Sequence, residues 1–136
     1  MTKHIETMTK AWQTIEAQQW DKVKDLFAGS GEFRMHAQVF NGAPEFVAMC
    51  QGWYAAFPDL KHEIVREIES GDSYCCEMVM TGTHTGTMRT PKGDLPATGK
   101  KIRMVTCDYI VFREGRVVSW HAYPDIGGMM AQLGVG

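Results

Sequence analysis

The stretch KIRMVTCDYIVFREGRVVSWHAY, residues 101–123, decides the fold. It contains two runs rich in β-branched and aromatic residues, Lys101–Arg113 and Arg116–Tyr123, a composition typical of strands. Glu114-Gly115 between the two runs is a turn signal. The sequence therefore predicts a β-hairpin with long strands.

Two further strands are predicted before this hairpin. Leu60–Glu69 carries several apolar residues, and Tyr74–Thr85 is a long β-prone run, with Ser70-Gly71-Asp72 as the turn that joins them. Residues 86–99 contain three glycines and two prolines, so we expect an extended connection there. The second half of the chain thus predicts four consecutive antiparallel strands.

The first half of the chain is mostly helical in pattern. Apolar residues recur at every third or fourth position through Thr2–Gln19, as on one face of a helix. Asp21 can cap a second, short helix that carries Val23, Leu26 and Phe27 and is ended by Gly29-Ser30-Gly31. Three more elements are predicted: a strand over Glu32–Phe40, a helix that Pro44 opens and Pro58 ends, and a final helix capped by Asp125.

This order of elements indicates the fold class. Helices placed ahead of consecutive strands are typical of α+β proteins rather than of an alternating parallel sheet. Long strands twist and curve, so helices on the concave face leave a cone-shaped interior. We expect a single domain over residues 1–136, with a curved antiparallel sheet packed against the N-terminal helices around an apolar pocket.

Composition narrows the class of partner. The formal net charge of −2 provides no basic surface for phosphates, so neither nucleic acid nor a membrane is expected as a partner. The sequence shows no leader pattern and no apolar run near the roughly 20 residues that span a bilayer, so we expect a cytoplasmic protein. We expect its four cysteines to be reduced, buried thiols. Ten methionines and a rich set of aromatic residues suit a hydrophobic small molecule.

Four short motifs carry a family resemblance. They are AAFPDL at residues 55–60, TGTHTG at 81–86, LPATG at 95–99, and Asp125 with AQLG at 131–134. In this order and spacing they resemble the SnoaL-like polyketide cyclase family over nearly the whole chain from about Trp12. The resemblance implies the nuclear-transport-factor-2-like fold, a cone-shaped α+β barrel. It also implies that enzymes of the family close polyketide rings by aldol chemistry without a metal or an organic cofactor, although the same fold hosts isomerases, hydrolases, dehydratases and binding modules.

Asp108 is the strongest candidate for chemistry. Aldol closure needs a base beside a carbonyl and a donor for the enolate, and an apolar cavity raises a carboxyl pKa toward the working pH. Asp108 lies in the middle of a predicted strand, and its alternative interpretation is an outward-facing residue paired with a lysine or arginine. The strand resembles the glycine-isoleucine-aspartate segment of the family, which favours the pocket.

The partner of Asp108 depends on the register of the hairpin. A two-residue turn at Glu114-Gly115 pairs Asp108 with His121, whereas a glycine bulge pairs it with Ala122. The first register forms an acid–base pair with His121, and the second gives a drier site near Trp120. The sequence leaves both registers open, because a slip of one residue exchanges all facing side chains.

Three other histidines lie in the predicted strands. His36 lies where the family often has a histidine after the second helix, and its alternative is a half-buried histidine bonded to a backbone carbonyl. We interpret His84 as structural and His62 as facing solvent. No histidine or carboxylate spacing indicates a metal site. Cys75 and Cys76 have no basic neighbour that would lower a thiol pKa.

Ala122 is the main departure from the family. Relatives commonly have histidine-tryptophan-aspartate where this chain has Trp120-His121-Ala122, so the carboxylate of characterised cyclases is replaced. Two functions stay open: a cofactor-independent cyclase or isomerase with Asp108 as base and His36 or His121 as donor, or a non-catalytic binding module. A homodimer, or a dimeric scaffold that uses the outer sheet face, is compatible with either. The expected ligand-binding side chains are those of Tyr54, Met78, Met80, Met104 and Trp120.

Overall fold

The structure, a computed structural model, describes residues 3–135, and four helices and eight strands form in that range. The helices are α1 (Lys3–Glu16), α2 (Trp20–Lys24), α3 (Ala43–Ala56) and α4 (Ile126–Gln132). The strands are β1 (Phe27–Met35), β2 (Gln38–Phe40), β3 (Lys61–Ser70), β4 (Ser73–Thr83), β5 (Met88–Thr90), β6 (Gly93–Leu95), β7 (Lys101–Arg113) and β8 (Arg116–Pro124). Thr2, where the predicted first helix begins, lies outside the described residues.

Six of the strands form one sheet in the order β2-β1-β8-β7-β4-β3. The four long strands predicted in the second half are its β3, β4, β7 and β8, which pair antiparallel with one another, whereas β8 and β1 run parallel. The helices α1 and α3 pack on this sheet, against β3 and β4 and against β1 and β2 respectively. The predicted α+β fold, with a curved antiparallel sheet on N-terminal helices, is confirmed.

Bulges explain why the sheet curves around the helices. The pairing shifts within β1 between Phe27 and Glu32, within β3 between Ile64 and Arg66, and in β8 opposite Val111 and Phe112. Each extra residue bends its strand and increases the local twist. The concave face that results holds the apolar core, which the helices cover.

The predicted second helix is too long, because α2 ends at Lys24 and Phe27 already begins β1. The tertiary reason is a parallel pairing with β8, in which the Val117 amide donates to the Leu26 carbonyl oxygen at 2.9 Å. Gly31 permits this pairing, since a Cβ there would lie 2.4 Å from the Val118 carbonyl oxygen. The glycine-rich segment is therefore part of a strand rather than the end of a helix.

The predicted strand Glu32–Phe40 is divided in two. His36 adopts a left-handed backbone conformation with a φ of 52°, and the chain turns there so that β1 and β2 pair antiparallel. The pairing of β2 with β1 buries Phe40 against the core, although the strand itself is mostly exposed.

Two of the four short motifs, residues 55–60 and 81–86, meet at one end of the sheet. The Asp59 carboxylate accepts from the Thr83 amide at 2.7 Å and from the Thr83 hydroxyl at 2.9 Å, which joins the end of α3 to the end of β4. The Gly86 amide donates to the Ala56 carbonyl at 3.1 Å, and a Cβ at Gly86 would lie only 1.8 Å from the Ala55 carbonyl oxygen. These motifs therefore attach the third helix to the sheet.

Candidate functional site

A narrow cavity of about 60 Å³ lies between the concave face of the sheet and helices α1 and α3. Its wall is formed largely by aromatic and sulfur-containing side chains. The wall includes all five residues expected to bind a ligand: Tyr54, Met78, Met80, Met104 and Trp120. Asp108 lies in the same wall, so the structure brings these six predicted residues together.

A wider depression of about 580 Å³ lies beside the β7–β8 turn. It is lined mostly by exposed residues, among them Glu32, Arg113, Glu114 and Arg116. A surface this open does not exclude water from a reacting group. The narrow cavity is therefore the candidate site.

The hairpin register decides that Asp108 faces the cavity beside Ala122. Glu114 and Gly115 both have positive φ, 52° and 79°, and form a two-residue turn in which Arg113 pairs with Arg116. The pairing then shifts, because Val111 pairs with Ser119 while Phe112 pairs with Val117. This bulge at Val118 moves the partner of Asp108 from His121 to Ala122.

Asp108 is held by two hydrogen bonds inside the cavity wall. Its side chain accepts from Trp120 Nε1 at 2.9 Å and from Thr106 Oγ1 at 2.8 Å, one donor on each carboxylate oxygen. The residue is 5% exposed. Because an ionised carboxylate oxygen has more than one acceptor site, each oxygen keeps capacity for a ligand.

Burial raises the pKa of Asp108 above its ordinary value. The hydrogen bonds from Trp120 and Thr106 and the nearby charge of His62 act in the opposite direction, but desolvation is the largest effect. A carboxylate with a raised pKa is a stronger base than one in water. The site therefore has the property expected of a group that accepts a proton from carbon.

His62 is in the cavity wall, so its interpretation as a solvent-facing residue is wrong. Its side chain is only 6% exposed, because the pairing of His62 with Met80 directs it to the concave face. The sequence does contain a signal for this position. Leu60, His62 and Ile64 recur at a spacing of two, which places the histidine on the same face as two apolar residues.

Tyr54 contributes a buried hydroxyl to the cavity wall. Among the described residues its oxygen has no hydrogen-bond partner. Burial raises the pKa of the phenol, so the hydroxyl keeps its proton at neutral pH. An unpartnered donor in an apolar wall is well suited to the oxygen of a ligand.

Neither His36 nor His121 is in the described wall of the cavity. His121 pairs with Tyr109 on the opposite face of the sheet from Asp108, and its Nε2 lies 3.0 Å from Glu32 Oε1. The His36 ring is bonded through Nε2 to the carbonyl oxygen of Pro124, as the alternative interpretation expected, although the residue is exposed rather than half-buried. The structure therefore does not bring these histidines to Asp108.

His84 lies outside the cavity wall and is fully buried just after the end of β4, in the motif at residues 81–86. The Thr98 amide donates to its Nδ1 at 3.2 Å, so Nδ1 is the acceptor and the proton of the neutral ring is on Nε2. Burial lowers the pKa of His84, which favours this neutral form.

The cysteines differ from the expectation of four buried thiols. Cys107 is exposed, and its Sγ lies 3.8 Å from Cys75 Sγ on the outer face of the sheet. Cys50 lines the cavity, where burial and the charge of Asp108 raise the pKa of its thiol to about 12. A protonated thiol is a poor nucleophile, so Cys50 contributes to the wall rather than to covalent chemistry.

Residues 3–135 contain no cluster of metal-binding side chains and no membrane-spanning helix. No three histidine, cysteine, aspartate or glutamate side chains in that range converge as a metal site would require. None of the helices in that range has the length and apolar character needed to cross a bilayer.

The α+β fold, with its curved sheet packed on N-terminal helices, defines the structural class of the chain. The family model described as SnoaL-like polyketide cyclase matches residues 3–133. The chain belongs to this family, and the predicted resemblance is confirmed. Among curated proteins, none shows significant sequence similarity to the chain.

Solved structures show the same fold at low sequence identity. IdmH of Streptomyces antibioticus, a proposed polyketide cyclase, is 22% identical with a TM-score of 0.77, over 96% of this chain and 97% of that chain. A proposed SnoaL-like polyketide cyclase from Jannaschia sp. CCS1 is 17% identical with a TM-score of 0.87, over 98% and 93%. An LEH-like epoxide hydrolase of M. tuberculosis is 12% identical with a TM-score of 0.72, over 96% and 89%. These differing descriptions show that the fold does not define the reaction.

Proposed function

We propose that this chain is a cofactor-independent enzyme that removes a proton beside the carbonyl group of a hydrophobic small molecule, with Asp108 as the base. The observation that carries the proposal is a single one: a carboxylate with a raised pKa is enclosed in an apolar cavity and oriented by Trp120 and Thr106. Proton abstraction of this kind starts ring closure by aldol chemistry and also starts isomerisation.

Asp108 lies close to Ala122, the position where relatives commonly have an aspartate. The two residues are directly paired, and both line the cavity. Paired residues of adjacent antiparallel strands have Cβ atoms about 5 Å apart. A carboxylate on β7 therefore reaches the same space as the family carboxylate expected on β8.

Tyr54 is the proposed donor to the carbonyl oxygen. Its hydroxyl is protonated and without a partner among the described residues, and it lies in the same wall as Asp108. A hydrogen bond to the oxygen becomes stronger as negative charge develops there, so it stabilises the enolate more than the ketone.

The size of the cavity favours a small substrate. Its volume of about 60 Å³ is below the roughly 150 Å³ of an apolar cavity that binds benzene. Met49, Met78 and Met80 line it, and thioether side chains adapt readily to a ligand. A single ring enters when these side chains move, whereas a polycyclic substrate requires a larger rearrangement.

Deuterium exchange tests the proposal without knowledge of the natural substrate. In D₂O, the protein is expected to accelerate loss of the α-proton signals of cyclohexanone in ¹H NMR spectra. The reference is acetate at the same concentration as the protein, which supplies a free carboxylate. If cyclopentanone, cyclohexanone and 1-tetralone bind but none exchanges faster, the chain is a binding module. In that case the hydrogen bonds from Trp120 and Thr106 to Asp108 only stabilise the cavity wall.

A homodimer through the outer sheet face is part of the proposal. Val105, Tyr109 and Tyr123 expose 43%, 47% and 45% of their surface, and all three lie on that face of β7 and β8. Apolar side chains that are contiguous and exposed favour a protein interface.

Sedimentation velocity is expected to give twice the mass of one chain for the wild type, and the mass of a monomer for Val105→Glu. A monomeric wild type at micromolar concentration contradicts the assignment.

We also propose a cytoplasmic location. Support comes from the sequence, because its four cysteines have no spacing typical of a disulfide framework. A cytosol keeps such thiols reduced, whereas an oxidising compartment promotes disulfides.

A further inference from the structure

His62 is clamped by a glutamate at the end of the first helix. Glu16 Oε2 accepts from the His62 backbone amide at 2.6 Å and lies 3.3 Å from His62 Nδ1. The hydrogen bond from His62 lowers the pKa of Glu16 and keeps this carboxylate ionised at neutral pH. The clamp holds the ring in one orientation, as second partners of functional histidines commonly do.

The clamp also determines which ring nitrogen exchanges a proton. An ionised carboxylate only accepts hydrogen bonds, so the nitrogen that faces it, Nδ1, carries a hydrogen in both the neutral and the charged ring. Nε2 is then the nitrogen that gains or loses the proton. Among the described residues, Nε2 has no hydrogen-bond partner, and the ring lines the cavity.

Contacts through two tryptophans connect His62 to Asp108. The His62 ring stacks on Trp12 with centroids 5.0 Å apart, and Trp12 meets Trp120 edge-on at 5.4 Å. Trp120 donates to Asp108, and the charge of His62 influences the pKa of Asp108. His62 and Asp108 thus line the same cavity and are connected through two tryptophan rings.

We infer that His62, positioned by Glu16, is a second proton-transfer residue of the cavity, which exchanges a proton with a substrate oxygen through Nε2. This inference rests on the proposed function of Asp108. Asp108 takes the α-proton, and the electron pair of that C–H bond forms the new C–C bond to a second carbonyl carbon. The π pair of that carbonyl moves to its oxygen, which takes the proton from Nε2. Asp108 is left protonated and His62 neutral, and solvent restores both.

The reverse reaction gives a direct test. Diacetone alcohol, a small β-hydroxy ketone, is expected to be cleaved to two molecules of acetone: Nε2 takes the hydroxyl proton, the C–C bond breaks, and protonated Asp108 supplies the proton to the enolate carbon. His62→Gln is expected to slow the cleavage by about 10²-fold or more, the size of a general acid–base contribution. Exchange of the cyclohexanone α-protons, which uses Asp108 and Tyr54, is expected to slow by less than the cleavage does.

Glu16 is a positioning residue, so its test includes a spectroscopic readout. In long-range ¹H–¹⁵N spectra the neutral His62 ring is expected to carry its proton on Nδ1 in the wild type, and Glu16→Gln to move population to the Nε2 tautomer. The cleavage rate is expected to fall with Glu16→Gln and to recover in part with Glu16→Asp. Glu69→Gln is the matched control, because the Glu69 carboxylate also bonds α1, at the amides of His4 and Ile5.

The outcomes separate this inference from the proposed function. If the wild type exchanges cyclohexanone α-protons but does not cleave diacetone alcohol, or if His62→Gln cleaves it at the wild-type rate, the role of His62 is wrong and that of Asp108 stands. A proton on Nε2 in the neutral wild-type ring also overturns the inference. If the wild type shows no exchange, the proposed function fails, and with it the reaction that needs both residues.

Discussion

Asp108→Asn is expected to slow the exchange of ketone α-protons by about 10²- to 10⁴-fold, the range of a general base contribution. The amide cannot accept a proton from carbon, although it has the shape of the carboxyl group and can still bond Trp120 and Thr106. Binding of cyclohexanone, followed by quenching of tryptophan fluorescence, is expected to be retained. The variant thus removes the proton transfer rather than the cavity.

Stability measurements show whether Asp108→Asn remains folded. The pKa of Asp108 is raised in the folded state, so folding binds this proton more tightly than the unfolded chain does. The contribution of Asp108 to the stability of the wild type is therefore greatest below the unfolded pKa, about 3.9, and is lost as the pH rises through the folded pKa. Asparagine does not ionise. The variant is expected to unfold at a higher temperature than the wild type at pH 7, with a difference that shrinks toward pH 4.

His121→Gln is the matched control for Asp108→Asn. His121 pairs with Tyr109 on the outer face and contacts Glu32, so its loss is expected to leave the exchange rate unchanged. The base assignment is wrong if Asp108→Asn keeps the wild-type rate while binding cyclohexanone with unchanged affinity. If His121→Gln instead loses the activity, the hairpin register described for β7 and β8 is contradicted.

Gly86→Ala is expected to cost about 3 kcal/mol or more of unfolding free energy, at or above the upper range for overpacking. A Cβ at this position would lie 1.8 Å from the Ala55 carbonyl oxygen. The obstacle is backbone, so relief requires the end of α3 to separate from the segment after β4, where the Gly86 amide bonds Ala56. Equilibrium denaturation with urea, followed by circular dichroism, measures the loss.

Gly52→Ala is a control glycine replacement, and its expected change in unfolding free energy has the opposite sign. Gly52 lies inside α3, and a Cβ there meets no atom within 4 Å. Alanine in a helix interior is expected to stabilise the chain by about 0.5–1 kcal/mol. If the two variants unfold at the same urea concentration, the backbone at Gly86 does not approach the Ala55 carbonyl oxygen closely in solution.

The location of the candidate catalytic groups was only partly predictable from the sequence. The mid-strand position of Asp108 identified it as the candidate base, and the structure places it in the cavity wall with the five predicted binding residues. His62 was missed because its immediate neighbours, Lys61 and Glu63, are charged and obscure a spacing of two with Leu60 and Ile64. Its partner Glu16 is 46 residues away, and no local pattern reports such a contact.

The sequence alone determined the α+β class, the four long strands and the family, because hydrophobic periodicity, turn residues and short motifs are local properties of a chain. Only the tertiary structure decided that β1 replaces the end of the second helix, since its pairing partner is supplied by β8. The same holds for the hairpin. Glu114-Gly115 specified a two-residue turn, but the bulge at Val118 moved the partner of Asp108 to Ala122. Both outcomes depend on pairing between strands, which a single strand does not encode.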